Sequence, residues 1–469
     1  MIEINSISDL EDLKITVMGL GINGGGFAAA NFLASANAKV CVTDLKSEEA
    51  LADVVSKLKS KNYKHPITFH LGRHREEDFT NAHIVIKNPA VLWGNKYLQL
   101  APHIETDLSL FLRFIKNPII AVTGSKGKST TASSLYHILS KLLPVCYLGG
   151  NITISPLSFI AEAQKNPTAP IILELSSWQL SDIHYVEEQS KIKLLKPQIS
   201  IITNILHDHQ NTYNNFSDYV KDKQMIYKNQ TSQNYFLTYK DDWGSSFSME
   251  TNANHFLFSV SDNKDSIKIE SPLVCEAIKL SAFPKNILGL HNQLNLGFAI
   301  KAATLFGCKE KSVLRALKNF KGIKHRMELV KKFKMGKTVV KAINDSAATM
   351  PDALIASCKS YNSDIYLLAG GTDKELDFSP LKNIPTSVKK IFLFEGSATQ
   401  KFLPLLNEDK VANQFTTMQE AVAAALAQIK KDRPKEAILL LSPGAASFGL
   451  FINEFDRGNQ FIKAVMELA

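Results

Sequence analysis

The chain carries only five cysteines in 469 residues, and Cys41, Cys146, Cys275, Cys308 and Cys358 lie far apart with no C-x-x-C pair among them. An odd, scattered set argues against a disulfide framework or a zinc site, and for a reducing, cytoplasmic setting. Nowhere do 18 consecutive apolar residues occur, so no membrane span is expected. The opening MIEINSISDLEDLK has acids where a secretory leader has a basic stretch followed by an apolar one, so no signal peptide is expected. Internal repeats and low-complexity tracts are also lacking. Charge is plentiful but unclustered. The net +9 is spread along the chain apart from pairs such as Lys331-Lys332 and Lys430-Lys431, and no basic motif is interleaved with aromatics. Nucleic acid is therefore not an expected partner, whereas small anionic substrates are.

What is present is ample apolar material, 45% of residues against 21% charged, and a length that suggests about three domains. One stretch organises the rest: Ile119 to Thr131, IIAVTGSKGKSTT. A β-branched run, two glycines and then Lys128, Ser129 and Thr130 opening an amphipathic segment describe a strand, loop and helix that offer backbone N–H groups to phosphate. Lys128 is placed for the β/γ-phosphates and Ser129 or Thr130 for a metal ion. The loop is shorter than the standard P-loop spacing, so it is a variant. Leu135, Ile138, Leu139 and Leu142 supply the buried stripe of the following helix.

Upstream, KITVMGL runs into Gly19-Leu20-Gly21-Ile22-Asn23-Gly24, and Asp44 closes the next strand, AKVCVTD. This satisfies the dinucleotide-fold fingerprint, although the same turn holds any nucleotide diphosphate. Asn117-Pro118 marks a boundary near residue 116. Beyond the P-loop, ILELSS ends in Glu174 and the run Ile199 to Ile205 ends in His207-Asp208-His209. A carboxylate and imidazoles at strand ends beside a phosphate loop suit Mg²⁺ or Mn²⁺. Residues 228–270 read as a solvent-facing antiparallel element. In GLHNQLN, Asn292 and Asn295 share a helix face and could address one ring or phosphate, or Asn292 could cap the helix. His325 and Arg326 fall at a second linker near residue 322, and TVVKAIND, IYLLAGG, IFLFEG and EAILLLSPG read as strands of a further open sheet. The expected architecture is α/β in three domains: 1–116 Rossmann-like, 117–322 a mostly parallel P-loop ATPase-like sheet, and 323–469 Rossmann-like.

In their order, the blocks TGSKGKSTT, GGNI, LELSSWQL, NILHDH with YVKDKQMIY, GLHNQLN, KHRMELV, NDSAAT, GGTDK, DFSPL and LSPGAAS with RGNQF resemble the ATP-dependent Mur ligases of peptidoglycan synthesis along essentially the whole chain. The resemblance is strongest to the branch that joins D-glutamate to UDP-N-acetylmuramoyl-L-alanine. It implies that Gly124, Ser125, Lys126, Gly127, Lys128, Ser129 and Thr130 hold ATP, joined by Asn292, Asn295, Arg326 and Asp345. Ser129, Thr130, Glu174 and His209 would serve the magnesium site, together with Lys223 as a carbamate formed with CO₂. Gly21, Ile22, Asn23, Asp44 and Asn151 would bind the UDP substrate, and Thr349, Lys374 and Ser447 the glutamate. Lys128, Lys223, His209 and Arg326 would be catalytic, His209 being one candidate for the proton-accepting base. The expected enzyme is a cytoplasmic monomer whose last domain closes over ATP.

The chain departs from the family pattern at three places. Ala347 stands where the pattern D-S-K-A-T-N has lysine, Glu454 where an aromatic is usual, and Asn211-Thr212 where Asp-Arg follows the histidine. The first two leave open an L-glutamate-adding sister ligase, or another Mur or folylpolyglutamate-type ligase.

Overall fold

The computed structural model describes residues 3–468 except 22, 23, 153, 207–212, 214, 285, 286, 288 and 375. His209, Ile22 and Asn23 therefore lie outside the described residues. The chain divides into two compact units, one of Met1–Phe283 with Leu290–Phe320 and the other of Pro284–Gly289 with Lys321–Ala469. Three sheets carry them, mostly parallel, as the alternating strand and helix pattern requires.

The first sheet contains β1 (Lys14–Met18), β2 (Lys39–Asp44), β3 (Thr68–Leu71), β4 (Ile84–Lys87) and β5 (Ile104–Glu105), in the order β3-β2-β1-β4-β5 and all parallel. Helix α1 (Gly25–Ser35) follows the glycine turn after β1. The second sheet has eight strands: β6 (Ile119–Thr123), β7 (Tyr147–Gly150), β8 (Ile171–Glu174), β9 (Ile199–Ile202), β10 (Tyr235–Tyr239), β11 (Asn254–Val260), β12 (Ser266–Glu270) and β13 (Cys275–Lys279). Their order is β13-β12-β11-β10-β9-β6-β8-β7. Every residue of β6, β8 and β9 is buried, which is why these strands read as unbroken apolar runs. The chain leaves β6 toward β7 on one side while β9 lies on the other. The carboxyl end of β6 is thus a topological switch point, where an open α/β sheet forms its ligand crevice.

The reading of 228–270 as antiparallel is corrected in part. β10 and β11 pair in parallel, and β10 is buried against β9; antiparallel pairing begins only at β12 and β13. The segment 242–250 forms a crossover helix whose buried residues are just Gly244 and Phe247, so its polar sequence conceals the parallel connection.

The second unit holds β14 (Glu328–Met335), β15 (Thr338–Asn344), β16 (Asp364–Gly370), β17 (Val388–Phe394), β18 (Val411–Phe415) and β19 (Glu436–Leu441), ordered β14-β15-β19-β16-β17-β18 with only β14 antiparallel. Alternation distributes the apolar residues to both faces. Tyr366, Leu368, Leu439 and Leu441 enter one core, while Ile365, Leu367, Ile438 and Leu440 enter the other.

Within the first unit, Lys87 at the end of β4 reaches helix α2 (Ser177–Ser190) of the following sheet. Its Nζ lies 2.8 Å from both carboxylate oxygens of Asp182 and 5.0 Å from the Trp93 ring centroid, and Trp93 stacks on Tyr185 at 3.7 Å. Both charges are almost wholly buried. Burial pushes the Asp182 carboxyl up to about 6, despite Lys87, and the Lys87 ammonium down. Lys87→Met alone should therefore destabilise the first unit by about 3–5 kcal/mol, because it strands a buried carboxylate, and Lys87→Met with Asp182→Leu should recover most of that loss in urea unfolding. The Asp182 carboxyl binds its proton more tightly folded than unfolded. Its contribution to stability is present in full below its ordinary 3.8 and is lost as pH rises through about 6, a slope the double variant should lack.

Candidate functional site

The loop 124–127 leaves β6 and turns into a helix spanning Lys128–Leu142, whose buried Leu135, Ile138 and Leu139 anchor it to the sheet. Two glycines make the turn possible. Gly124 has φ +139°, and a Cβ there would lie 2.0 Å from Thr203 Oγ1; Gly127 has φ +88°, and its Cβ would lie 2.3 Å from Asn295 Oδ1. The segment after β9 grips the loop from one side. Lys126 N donates to Asn204 Oδ1 at 2.9 Å, Asn204 Nδ2 donates to the Lys126 carbonyl at 3.1 Å, and Leu206 N donates to Ser125 Oγ at 2.8 Å. The Tyr219 hydroxyl lies 2.7 Å from Ser125 Oγ. Lys128 Nζ folds back to donate to the carbonyls of Gly124 at 2.9 Å and Ser125 at 3.0 Å, while Ser129 and Thr130 occupy the first helical turn.

Lys223, on the helix Phe216–Gln224, is 2% exposed. Its Nζ donates to the same Gly124 carbonyl at 2.9 Å and lies 4.6 Å from the Tyr219 ring centroid. Asn295 stands against Gly127 from the helix Leu290–Leu305, and Asn292 lies in the first turn of that helix rather than ahead of it. The structure thus gathers Gly124, Ser125, Lys126, Gly127, Lys128, Lys223 and Asn295 around one loop.

At the end of β8, Glu174 is 1% exposed. Its Oε1 accepts from Asn151 Nδ2 at 3.1 Å, and its carbonyl accepts from Asn151 N at 2.7 Å. Its Oε2 is buried and has no hydrogen-bond partner among the described residues. A carboxylate oxygen left without a donor in a crevice beside a phosphate loop is what a hard divalent cation requires, so Glu174 fits a magnesium site.

In the first sheet, the turn after β1 places Gly19, Gly21 and Gly24 at positive φ, with Gly24 capping α1. Asp44 Oδ2 accepts from Leu20 N at 2.9 Å and Gly21 N at 3.0 Å, and Oδ1 accepts from Lys46 N at 2.9 Å. Its visible work is to shape the turn. Asn88, which with Pro89 follows β4, donates its Nδ2 to the Gly19 carbonyl at 3.3 Å, and its side chain covers Gly19 and Gly21. An Asn-Pro pair directly after a buried strand was the available signal.

In the second unit, Asp345 is buried at the end of β15. Oδ1 accepts from Met327 N at 3.1 Å, and Oδ2 accepts from the hydroxyls of Ser357 and Ser442. Burial pushes its carboxyl up to about 6, only partly countered by these donors and by the Arg326 cation. Arg326 is flanked by His325 at φ +62° and Met327 at φ +47°, so Asp345 holds a left-handed residue next to it. Arg457, which the motif reading passed over as a site residue, is fully buried. Its guanidinium donates to Ser346 Oγ at 3.0 Å, the Ser346 carbonyl at 2.9 Å and the Ala445 carbonyl at 3.1 Å, stapling the loop of Thr349 to the loop of Ser447. Burial lowers its pKa to about 10. Ser447 is buried, and Lys374 Nζ lies 4.8 Å from the Phe448 ring centroid.

Comparison with known proteins gives three findings. Residues 122–303 match the Mur ligase middle domain. The chain is 41% identical to the UDP-N-acetylmuramoylalanine–D-glutamate ligase of Borreliella afzelii, over 98% of this chain and 99% of that one, and 35% identical to the ligase of the same description from Treponema pallidum, over 96% and 97%. Its fold is similar to that of the UDP-N-acetylmuramate–alanine ligase of Thermotoga maritima, with a TM-score of 0.56 at 19% identity, covering 97% of this chain and 99% of that one.

Gly127→Ala tests the loop geometry. The left-handed backbone alone costs an L-residue about 1–2 kcal/mol, and the overlap with Asn295 adds to it. Fluorescent nucleotide titration should show affinity lowered by about tenfold or more.

Proposed function

This chain belongs to the Mur ligase family, and from that premise we propose that it joins D-glutamate to UDP-N-acetylmuramoyl-L-alanine at the expense of ATP. The observation that carries the reading is identity of 41% along nearly the whole length of a relative with that description. On this reading 1–116 binds the UDP substrate, 117–322 binds ATP, and 323–469 binds the amino acid and contributes to the nucleotide site. No helix among the described residues is long and apolar enough to cross a membrane. On this reading the enzyme is cytoplasmic and monomeric and acts on diffusible substrates.

An amide does not form readily from a carboxylate, whose leaving group would be oxide. The γ-phosphoryl group of ATP therefore passes to the alanyl carboxylate to give an acyl phosphate; the glutamate amine then attacks that carbonyl, and phosphate departs from the tetrahedral intermediate. Lys128 and Arg326 neutralise charge on the phosphoryl oxygens. The backbone N–H groups of Gly124 to Thr130 cradle the phosphates, and Asn292, Asn295 and Asp345 contact the nucleotide. Ser129, Thr130, Glu174 and His209 would hold a magnesium ion, which would supply Lewis-acid polarisation. Lys223, whose Nζ donates to the Gly124 carbonyl, would join that site as a carbamate. Asn151, fixed to Glu174, faces the muramoyl portion, while Gly21, Ile22, Asn23 and Asp44 hold the uridine diphosphate. Thr349, Lys374 and Ser447 receive the glutamate carboxylates. The glutamate ammonium must lose a proton before it attacks, and His209 is our candidate acceptor.

Ala347 removes a cation that the family pattern places near the amino acid, leaving Lys374 as the cation for this role. ADP release with UDP-N-acetylmuramoyl-L-alanine should depend on D-glutamate and vanish in Lys128→Ala, whose circular dichroism should match the parent. Turnover with L-glutamate alone would move the protein to the sister branch. Lys223→Ala should lose most activity and regain part of it with added short carboxylates; parental activity in that variant removes Lys223 from the mechanism.

A further inference from the structure

One cluster in the first sheet has no part in this chemistry. Cys41 and Thr43 share a face of β2, and the β2–β3 register pairs Cys41 with Thr68 and Thr43 with His70, so Cys41 and His70 are diagonal neighbours on that face. The short helix Glu77–Thr80 lies over them, tied down by the Thr16 hydroxyl, which donates to the Asp78 carbonyl. His70 Nδ1 is 3.6 Å from Cys41 Sγ and 2.7 Å from Asp78 Oδ1, and one ligand atom from each of the three residues lies within 4.8 Å of the other two. The Asp78 side chain is 8% exposed, and its Oδ2 is buried without a hydrogen-bond partner among the described residues.

The arrangement is not a proton relay. A cysteine relay uses one imidazole nitrogen for the thiol and the other for the carboxylate, whereas here a single nitrogen faces both. Three donors converging on one point is the geometry of coordination. With bonds of about 2.0–2.3 Å, tetrahedral donors stand roughly 3.3–3.8 Å apart. The sulfur–nitrogen separation already fits, and the nitrogen–oxygen separation has to open by less than about 1 Å.

We propose that Cys41, His70 and Asp78 form a site for a thiophilic divalent ion, Zn²⁺ above others, with water as fourth ligand. Thiolate and carboxylate together balance the charge of the ion, so the half-buried site is neutral when filled. On binding, the thiol proton leaves to solvent and the His70 proton passes from Nδ1 to Nε2. That nitrogen now lies 3.4 Å from the exposed Arg75, which swings away. The ion fastens the connection after β3 onto β2. Scattered cysteines argued against zinc in the sequence; the sheet register brings one of them to a histidine and an aspartate.

The test uses the full chain, stripped with chelator and kept in millimolar Mg²⁺ so that oxygen-ligand sites are filled. Added Co²⁺ should give one equivalent of a thiolate-to-cobalt charge-transfer band that Zn²⁺ displaces. The band should be absent in Cys41→Ser and need about tenfold or more Co²⁺ in Asp78→Asn. Cys41→Ser should keep ligase turnover. In the unaltered chain, Zn²⁺ should slow alkylation of Cys41, read by peptide mass spectrometry, and leave the exposed Cys275 unaffected. No charge-transfer band, a band that survives Cys41→Ser, or unprotected Cys41 overturns the proposal, independently of the ligase reading.

Discussion

Two missing side chains hold the first unit's crevice together. Gly124 and Gly127 sit where β6 ends, and the space of their absent Cβ atoms is filled by Thr203 and Asn295. The backbone penalty for an L-residue at such positions is about 1–2 kcal/mol; at Gly124 a Cβ would also press on the backbone nitrogens of Thr203 and Asn204, whereas at Gly127 it would meet only the Asn295 side chain. Sterics therefore fix glycine at Gly124, and the left-handed backbone fixes it at Gly127. Lys128 and Lys223 both donate to the carbonyl of Gly124, so the position of two cations depends on this turn.

A second regularity concerns how charge is kept inside. Arg457 is held by a hydroxyl and two carbonyls, Asp345 by two hydroxyls and a backbone N–H, and Lys223 by a loop carbonyl. Neutral dipoles supply these hydrogen bonds and fix the side chains in place. Lys87 and Asp182 follow the opposite rule, each the other's counter-ion, and they join two sheets rather than line a crevice.

The sequence exposes those parts of the fold that are decided locally. IIAVT, followed by glycine and Lys128, could hardly be other than a buried strand entering a helix, and the apolar runs of the second unit declare their strands because both faces of that sheet are covered. Edge and short strands escape notice: β3 and β18 have few buried residues, and β14 alternates across a hairpin whose signal was only Met335-Gly336-Lys337. Thr203, Asn204, Asn88 and Arg457 were passed over for a different reason. Each is an ordinary polar residue whose role exists only once a distant loop is packed against it. Asp345 shows the converse, since the sequence points to a ligand contact while the structure finds its oxygens already engaged with Met327, Ser357 and Ser442.

The buried pair of Lys87 and Asp182 also bears on how freely the first sheet can be exchanged. Domains that meet through apolar patches tolerate replacement by any partner of similar shape. A junction closed by one lysine inserted against a helix of the next sheet behaves as a keyed fitting: a foreign first sheet lacking that cation would leave a carboxylate sealed in the seam. In a chimera the two positions must travel together, because electrostatics as well as chain connectivity joins the first sheet to helix Ser177–Ser190.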